Sequence, residues 1–531
     1  MHLPNARCSS ALLALLSALT GAFAQNVTTN TTSPAPASNH TTVLILGGGM
    51  AGVIAARTLH EQGIDDFIIV EGKIELGGRM IPKAFGLQGR QVVVEMGPNW
   101  IQGTQDGNGT ANPIWELAQK HNLTTVYNDM YGSITTFDYT GYNNYTDTFN
   151  ERVNTFNEAT VLAGERLHNN QVDMSLTSAY GIMGASSKSP QEDACDYFQI
   201  DFVSLIFVRD EILISRKRIA IVAQSPSQTS WLASAWNNNF TYVPSSGGYS
   251  DVNQMCIDQR GFVHIVQAEA AEFLQPQQVI FNQTVNLIEY SDDGVTVKTT
   301  GGMTFTADYV LTTFSAGVLQ NDDVVFQPPL PDWKVEAINS IEMATYTKIF
   351  LQFNETFWFP TEMGLYADQQ RGKYPVWQSL DHVNFFPGSG IIFVTVTGDW
   401  SLYVEQLPPQ EIQSQVMEVL RAMYPNITIP DPVDIHIPTW ALNSLYRGSY
   451  SNWGPSFNQD HADNLRATVD RVWFAGEATS LKYFGFLQGA YLEGQSVAKG
   501  MAACIKKTGS CGIPHIATVT NGEPYSNTLT S

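Results

Sequence analysis

A strand, a glycine-rich loop and a helix near the start of the chain constrain its fold more than any other feature. Thr42–Leu46 is a short apolar run of the kind that forms a buried parallel strand, and Val53–His60 has the pattern of a helix. Between them lies Gly47-x-Gly49-x-x-Gly52. Glycines at this spacing allow a tight turn, close approach of the backbone to a pyrophosphate, and packing of the helix on the strand. The segment therefore predicts a dinucleotide-binding loop.

A second strand and a carboxylate complete a βαβ unit. Gly63 ends the predicted helix, Phe67–Val70 forms the next strand, and Glu71 follows, 19 residues after Gly52. A carboxylate at this spacing accepts both hydrogen bonds of an adenosine ribose. The competing interpretation is a glycine-rich turn beside an exposed glutamate, and the spacing favours the ribose site.

The same fold resumes after a long insertion. The predicted class is α/β, with a discontinuous Rossmann-like dinucleotide-binding domain and an inserted α+β substrate-binding domain. The aromatic-rich segment from about 120 to 256 is predicted to be irregular. Strands are expected at 279–280, 285–290, 295–299, 307–313 and 471–475, and a helix at 489–503. The predicted ranges are 41–120, 257–340 and 453–505 for the dinucleotide domain, 121–256 and 341–452 for the substrate domain, and 506–531 for a C-terminal tail.

The first residues have the pattern of a secretory signal peptide. Met1–Ala24 contains Arg7, an apolar run over Ala11–Leu19, and the small-residue triplet Ala22–Ala24. Residues 25–40 are mostly Thr, Asn, Ser, Pro and Ala, which predicts a disordered, glycosylated linker. No later run of about 20 apolar residues could span a membrane. We therefore expect a secreted, extracellular protein.

The N-glycosylation sequons and the cysteines are also typical of a secreted protein. Asn-x-Ser/Thr sequons begin at Asn26, Asn30, Asn39, Asn108, Asn122, Asn144, Asn239, Asn282, Asn354 and Asn426, and predict N-glycans. Without the signal peptide the cysteines are Cys195, Cys256, Cys504 and Cys511, of which the last two are close enough in sequence to pair. No Cys-x-x-Cys or histidine cluster is present, so no metal site is predicted.

The net charge of the chain limits the classes of partner that it is expected to bind. The formal net charge is −22, with 28 basic against 50 acidic residues, and such a chain would repel phosphate backbones. Nucleic acid is therefore not an expected partner, whereas a cationic substrate fits the sign. The alternative is that the acidity only keeps a secreted protein soluble. No oligomeric state is predicted.

Six further segments indicate which family of proteins the chain resembles. They are Gly77–Met80, Glu95–Trp100, Tyr346–Phe350, Gly448–Trp453, Phe474–Ser480 and Gly489–Gly494. Together with the glycine loop, their number and order resemble the flavin-containing amine oxidases, and among these the secreted plant and fungal polyamine oxidases. The resemblance covers about residues 41–505 and is weak between about 120 and 250.

The resemblance implies FAD as the cofactor. Its implied binding residues are Gly47, Gly49, Met50, Gly52, Glu71, Arg79, Gly97, Val285, Trp440 and Glu477. In the family, the residues matching Glu71, Val285 and Glu477 lie at the ribose, the adenine and the ribitol. One branch of the family attaches its flavin through a cysteine near the segments that match Phe474–Ser480 and Gly489–Gly494, but Glu477–Gly494 contains no cysteine. We therefore expect noncovalent FAD.

The resemblance also implies a catalytic lysine and a substrate wall. Lys348 matches the family's lysine that holds a water against flavin N5, and a lysine in an apolar strand must find a polar partner or lose its proton. The alternative is an outward-facing strand lysine. The implied substrate-binding residues are Gln102 and the aromatic residues Trp100, Tyr346, Tyr450 and Phe486. The ring faces of these aromatic residues suit the methylenes and ammonium groups of a polyamine. Gln102 departs from the plant enzymes, which carry a glutamate there.

The implied activity is that of a secreted FAD-dependent polyamine oxidase. It would oxidise spermidine- or spermine-type amines with O2 to an aldehyde, an amine and hydrogen peroxide. Two alternatives stay open. An L-amino-acid oxidase shares the flavin frame but needs an arginine facing the substrate carboxylate, and no such arginine is identified in the sequence. The other alternative is a flavin-binding glycoprotein without turnover.

Residues Val203–Val222 do not match their surroundings. The preceding Asp201-Phe202 pair matches the family, but Val203-Ser204 stand where relatives carry a glutamate and an aromatic residue that face the substrate. The segment also holds four basic residues, Arg209, Arg216, Lys217 and Arg218. Because a common intron donor encodes Val-Ser, we hypothesise that the segment is partly a retained intron or a gene-model error. The alternative is a genuine amphipathic insertion, in which Glu211 is the first candidate for the missing carboxylate.

Overall fold

The computed structural model describes residues 40–169, 171–202, 223–455 and 457–517. The predicted signal peptide, nearly all of the predicted linker and the hypothesis on Val203–Val222 lie outside the described residues. Short 3-10 or π turns occur at Tyr197–Phe202, Pro244–Ser246, Pro276–Gln278 and Glu477–Thr479.

The strands follow the chain in this order. They are β1 (His40–Leu46), β2 (Phe67–Val70), β3 (Pro82–Phe85), β4 (Val92–Glu95), β5 (Trp100–Gln102), β6 (Thr125–Tyr127), β7 (Ile134–Asp138), β8 (Gly141–Tyr142), β9 (Asn253–Cys256), β10 (Val279–Ile280), β11 (Val285–Ser291), β12 (Gly294–Thr299), β13 (Thr304–Thr312), β14 (Val325–Gln327), β15 (Ile341–Ala344), β16 (Tyr346–Gln352), β17 (Met363–Ala367), β18 (Val376–Ser379), β19 (Ile391–Thr397), β20 (Asp434–His436), β21 (Tyr450–Trp453) and β22 (Val472–Phe474).

The α-helices are distributed between these strands. They are α1 (Met50–Glu61), α2 (Pro113–Lys120), α3 (Thr146–His168), α4 (Leu176–Ile182), α5 (Pro190–Asp196), α6 (Trp231–Tyr242), α7 (His264–Ala271), α8 (Ala316–Leu319), α9 (Asp332–Ser340), α10 (Gly398–Glu405), α11 (Pro409–Met423), α12 (Gln459–Arg466) and α13 (Leu487–Ile505).

The first sheet confirms the predicted dinucleotide fold. Its strand order is β10-β2-β1-β13-β12-β11-β14, and β22 also pairs with β13. The strands β1, β2 and β13 are parallel, with Leu46 opposite both Val70 and Thr312 at their carboxyl ends. The glycine loop therefore leaves the sheet at the edge where these strands end, which is the usual ligand edge of an open α/β sheet.

Two helices from opposite ends of the chain pack together beside this sheet. The helix α1 follows the glycine loop, and α13 comes from the last part of the described chain. Gly494 of α13 faces α1 so closely that a Cβ there would overlap the carbonyl oxygen of Ala51. This contact supports the start of α1, where the glycine loop ends.

A second sheet carries the predicted lysine. Its order is β20-β16-β19-β18-β17-β7-β8, and every residue of β16 is buried. Antiparallel pairing with β19 places Lys348 opposite Thr395. Such a strand, buried along its whole length, fixes the position of any polar side chain that it carries.

The segment predicted to be irregular contains four α-helices within its described residues, so that prediction was wrong there. It contains α3 to α6, and α3 alone spans 23 residues. The buried residues of α3 include Phe149, Val153, Phe156, Thr160 and Ala163, at alternating spacings of four and three residues. This is the period of an amphipathic helix, and polar residues on the outer face obscured it.

The cysteines pair as the sequence allowed. Cys504 and Cys511 form a disulfide, while Cys195 and Cys256 are free and buried. Among the helices of the described residues, none combines the length and apolar character needed to cross a membrane.

Gly494→Ala tests the packing of α13 on α1. The added methyl group would overlap Ala51, and overpacking of this kind typically costs about 1–3 kcal/mol. We expect a lower melting temperature and weaker FAD retention. Gly500→Ala, on the same helix, is the matched control, because its Cβ would meet Trp473 only at 3.5 Å. Equal effects of the two substitutions on both measurements would contradict this role of Gly494.

Candidate active site

A cavity of about 260 Å³ opens at the ligand edge of the first sheet. It runs from the glycine loop to β16 and the start of β21. Of the predicted site residues, the cavity is lined by Gly47, Gly49, Met50, Glu71, Arg79, Gly97, Trp100, Gln102, Val285, Tyr346, Lys348, Trp440, Tyr450, Glu477 and Phe486. Gly52 is the exception and lies behind this wall, within α1.

The glycine loop fits a pyrophosphate. Gly47 has a φ of +111°, which favours glycine, and a Cβ at Gly52 would overlap the carbonyl oxygen of Gly47. The N-cap of α1 is Gly49, so no side chain accepts hydrogen bonds from the first N–H groups of the helix. Because Gly49, Met50 and Ala51 all line the cavity, these N–H groups and the helix dipole are available to an anion.

Glu71 holds the loop and faces the cavity. One oxygen of its buried carboxylate accepts a hydrogen bond from Gly48 N at 2.6 Å, and the other accepts one from Lys73 N at 2.8 Å. Each carboxylate oxygen has a further lone pair, so ribose hydroxyls can still donate to it. This geometry fits the ribose site of a dinucleotide.

Arg79, which is half-buried, and the buried Glu477 form an ion pair that joins three distant segments. The Nη1 of Arg79 donates to Glu477 Oε1 and to the carbonyl oxygen of Ser449, each at 2.9 Å. Glu477 also accepts hydrogen bonds from the backbone N–H and hydroxyl of Ser451 and from Gly485 N. Both charged side chains line the cavity, so the pair shapes its wall as well as facing a ligand.

Lys348 is buried against a single turn of the chain. Its Nζ donates to the carbonyl oxygens of Glu95 (3.0 Å) and Gly97 (2.6 Å) and to Asn99 Oδ1 (3.0 Å). The side chain is 1% exposed, which excludes the outward-facing alternative. Burial lowers the pKa of Lys348 to about 7, and the nearby charge of Glu95 opposes this shift. The amine can therefore exchange a proton near neutral pH.

Glu95 and Asn99 are residues that the sequence analysis did not assign. Glu95 Oε1 accepts a hydrogen bond from Phe262 N at 2.6 Å, while Oε2 has no partner among the described residues. Burial raises the pKa of Glu95 to about 7, against the opposing effects of the Phe262 hydrogen bond and the Lys348 charge. Both residues belong to the quoted segment Glu95–Trp100, but only the folded chain shows that they surround Lys348.

Aromatic rings form the wall around the lysine. The Nζ of Lys348 lies 5.3 Å from the centre of the Trp100 ring. Tyr346 and Tyr450 lie with their ring centres 6.2 Å apart, and Phe202 stacks on Tyr346 at 5.9 Å. The structure thus brings together the predicted aromatic substrate residues, and Phe202, noted above only as a match to the family, packs on one of them without lining the cavity.

Comparison with known proteins shows which protein family this chain belongs to. The sequence profile of the flavin containing amine oxidoreductase family matches residues 50–502. The chain therefore belongs to this family, and it is an FAD-dependent amine oxidase.

Individual proteins that are similar to this chain are also amine oxidases. Polyamine oxidase 7 of Oryza sativa subsp. japonica is 34% identical over 479 residues, which cover 85% of this chain and 93% of the relative. Polyamine oxidase 1 of Zea mays is 33% identical over 494 residues, covering 88% and 91%. A putrescine oxidase solved with bound putrescine has the same fold, with a TM-score of 0.65 at 15% identity, covering 87% of this chain and 99% of that one.

The flavin should leave the protein on acid precipitation. The covalent branch of the family attaches its flavin through a cysteine, and the cavity lining within the described residues includes no cysteine. We expect the absorbance at about 450 nm to appear entirely in the supernatant. Yellow colour that stays with the washed pellet would contradict noncovalent binding.

Glu95→Gln should flatten the dependence of stability on pH. The pKa of Glu95 is raised from 4.5 to about 7 on folding, so its contribution to stability is complete below 4.5 and is lost as the pH rises through 7. The expected difference is on the order of 1–3 kcal/mol across this window. Melting temperatures from pH 4.5 to 7 measure it, with Glu355→Gln, at an exposed glutamate, as the control. Parallel curves for wild type and Glu95→Gln would contradict the assignment.

Proposed function

We propose that this chain is a secreted polyamine oxidase that uses O2 and releases hydrogen peroxide. The observation that carries the proposal is a buried lysine beside an aromatic wall, in a cavity continuous with a dinucleotide-binding loop. The names of the relatives that are 33–34% identical support polyamines as the substrate class.

The cavity walls favour the reactive form of an amine. FAD, when bound, supplies the acceptor for the two electrons that leave the carbon beside the amine. Trp100, Tyr346, Tyr450 and Phe486 provide apolar contact to methylenes and exclude water, which favours the uncharged amine over ammonium. Holding the amine in one place also removes much of the entropy cost of the reaction.

The neutral form of Lys348 can hold a water better than its ammonium form can. As an ammonium it donates all three hydrogens to Glu95, Gly97 and Asn99. As a neutral amine it has two hydrogens and a lone pair that can accept a hydrogen bond from a water. The pKa of about 7 makes both forms accessible near neutral pH, as a group that moves a proton requires.

One observation disfavours the amino-acid oxidase alternative. Arg79 is the arginine among the described cavity-lining residues, and it is paired with Glu477. A substrate carboxylate would therefore have to compete with a buried glutamate for it.

A peroxide assay tests the proposal. The purified flavoprotein is given spermidine, spermine, putrescine, N-acetylated polyamines and L-amino acids under air. We expect peroxide with one or more polyamines and none with amino acids. Turnover of amino acids alone would support the amino-acid oxidase, and a normal flavin spectrum without peroxide from any amine would support a non-catalytic glycoprotein.

Lys348→Met should separate cofactor binding from turnover. The glycine loop and Glu71 are untouched, so FAD should stay bound, whereas loss of proton handling should slow turnover by about one to three orders of magnitude. Lys334→Met is the matched control. Lys334 is also buried and donates three hydrogen bonds, all to carbonyl oxygens, but it does not line the cavity. Turnover is expressed per bound flavin. An unchanged rate in Lys348→Met would remove Lys348 from the mechanism.

Glycan mapping tests secretion. Sequon asparagines are exposed at Asn108, Asn122, Asn144, Asn282, Asn354 and Asn426. Asn239 differs, because it lies within α6 and its sequon Thr241 is fully buried and donates to Asn237 O. We expect mass spectrometry of the protein secreted by its natural source to find glycans at the exposed sites and none at Asn239. Bare asparagine at all the exposed sites would contradict passage through the secretory pathway.

A further inference from the structure

Tyr142 is an exposed aromatic residue on a fixed backbone. It is 68% exposed, more than any other Phe, Trp or Tyr of the described residues. Its backbone pairs with that of the buried Phe137 in the β7–β8 hairpin, and the two ring centres lie 6.1 Å apart. On the preceding residue, a Cβ at Gly141 would lie 3.2 Å from the ring of Pro425. Strand pairing and this packing therefore fix the backbone that presents the Tyr142 ring to solvent.

A glycosylation sequon begins two residues later, at Asn144. This residue is exposed, and its Oδ1 accepts hydrogen bonds from Thr146 N at 3.1 Å and from Thr146 Oγ1 at 2.5 Å. Nδ2, the atom to which an N-glycan bonds, donates to no acceptor among the described residues. The amide is therefore oriented through its oxygen, and its nitrogen is left for a sugar.

Tyr142 and Asn144 project from the same face of the chain. The pairing with β7 continues past the end of β8, because Asn143 N donates to Thr136 O at 3.3 Å and Thr136 Oγ1 donates to Asn143 O at 2.6 Å. In such an extended segment, alternate side chains share a face. The burial agrees, since Tyr142 and Asn144 are exposed whereas Tyr145 is buried. A sugar on Asn144 Nδ2 thus starts on the side of the chain that carries the Tyr142 ring.

A tethered sugar and an exposed ring have complementary surfaces. One face of N-acetylglucosamine, the sugar bonded to asparagine in an N-glycan, consists of C–H groups, and an aromatic ring offers a flat apolar face. Stacking removes apolar area of both groups from water. Because the sugar is covalently attached, the contact costs little translational or rotational entropy.

We propose that Asn144 carries an N-glycan whose first sugar stacks on Tyr142 and covers the outer face of the β7–β8 hairpin. The proposal rests on the secretion that forms part of the proposed function. In the secretory pathway, Nδ2 displaces a lipid pyrophosphate from C1 of the first sugar and loses one proton as the N–C1 bond forms. Asn354 provides the contrast, because it is also an exposed sequon asparagine but the residue two positions earlier, Gln352, is buried.

Hydroxyl-radical footprinting of the secreted protein tests the contact. Oxidation of Tyr142 is measured by mass spectrometry in the wild type and in Asn144→Asp, which removes the glycan but keeps an oxygen for the two hydrogen bonds from Thr146. We expect Tyr142 to be oxidised about twofold faster or more in Asn144→Asp, because the sugar covers one face of the ring. Tyr403 is 44% exposed, and the sequons nearest to it in sequence are Asn354 and Asn426, so its oxidation should not change.

The outcomes separate this proposal from secretion. Equal oxidation of Tyr142 in the two proteins, with Asn144 glycosylated in the wild type, would overturn the stacking. An unoccupied Asn144 beside occupied Asn108 and Asn354 would also overturn it and leave secretion standing. Sequons that are all unoccupied would contradict secretion itself. Peptide N-glycosidase applied to the folded wild type produces the same aspartate, and replaces the variant if Asn144→Asp is not secreted.

A thermal double-mutant cycle assigns the effect to the ring. Loss of the glycan through Asn144→Asp should lower Tm by about 1–3 °C more in the wild-type background than in Tyr142→Ala, because only the wild type has the ring to lose. Asn354→Asp is the matched control and should change Tm equally in both backgrounds. Additive effects of Tyr142→Ala and Asn144→Asp would exclude Tyr142 as the contact of the sugar.

Discussion

Glu477 is the side chain on which the assembly of the site most depends. Its buried carboxylate accepts hydrogen bonds from Arg79, which lies 398 positions earlier in the chain, and from Ser451 and Gly485. A buried carboxylate is stable only when its lone pairs are satisfied, and removal of one donor leaves charge without compensation. The three donor segments are therefore held in one arrangement, and that arrangement forms the wall between the cofactor-binding loop and the start of β21.

The local charge of the site differs from the charge of the whole protein. The chain carries a net charge of −22, which attracts cations over long distances. Inside the cavity, the described carboxylates are engaged, and the polar groups next to the aromatic wall are a lysine and amides. The net charge of the protein therefore attracts cations, whereas the described part of the cavity offers a ligand aromatic faces and hydrogen-bonding groups.

Local features of this fold could be predicted from the sequence, whereas long-range contacts could not. The strands at 42–46 and 67–70 and the helix after Gly52 depend on neighbouring residues, and the structure confirms them. The helix α3 also left a local signal, but its polar outer face hid it. Glu95 and Asn99 are different, because they gain their role only when β16 brings Lys348 to them across about 250 residues. The matching motif identified the lysine but not its acceptors.

The packing of α1 against α13 has a consequence for the biogenesis of this enzyme. The helix that follows the glycine loop emerges early in synthesis, and its packing partner is made more than 400 residues later. At about 5–20 residues per second, the interval between them is roughly 20–90 s. During this time the apolar face of α1, including Val53 and Ile54, lacks its native cover. Because residues of the last segment, such as Glu477 and Phe486, also line the cavity, the cofactor site is complete only after this interval.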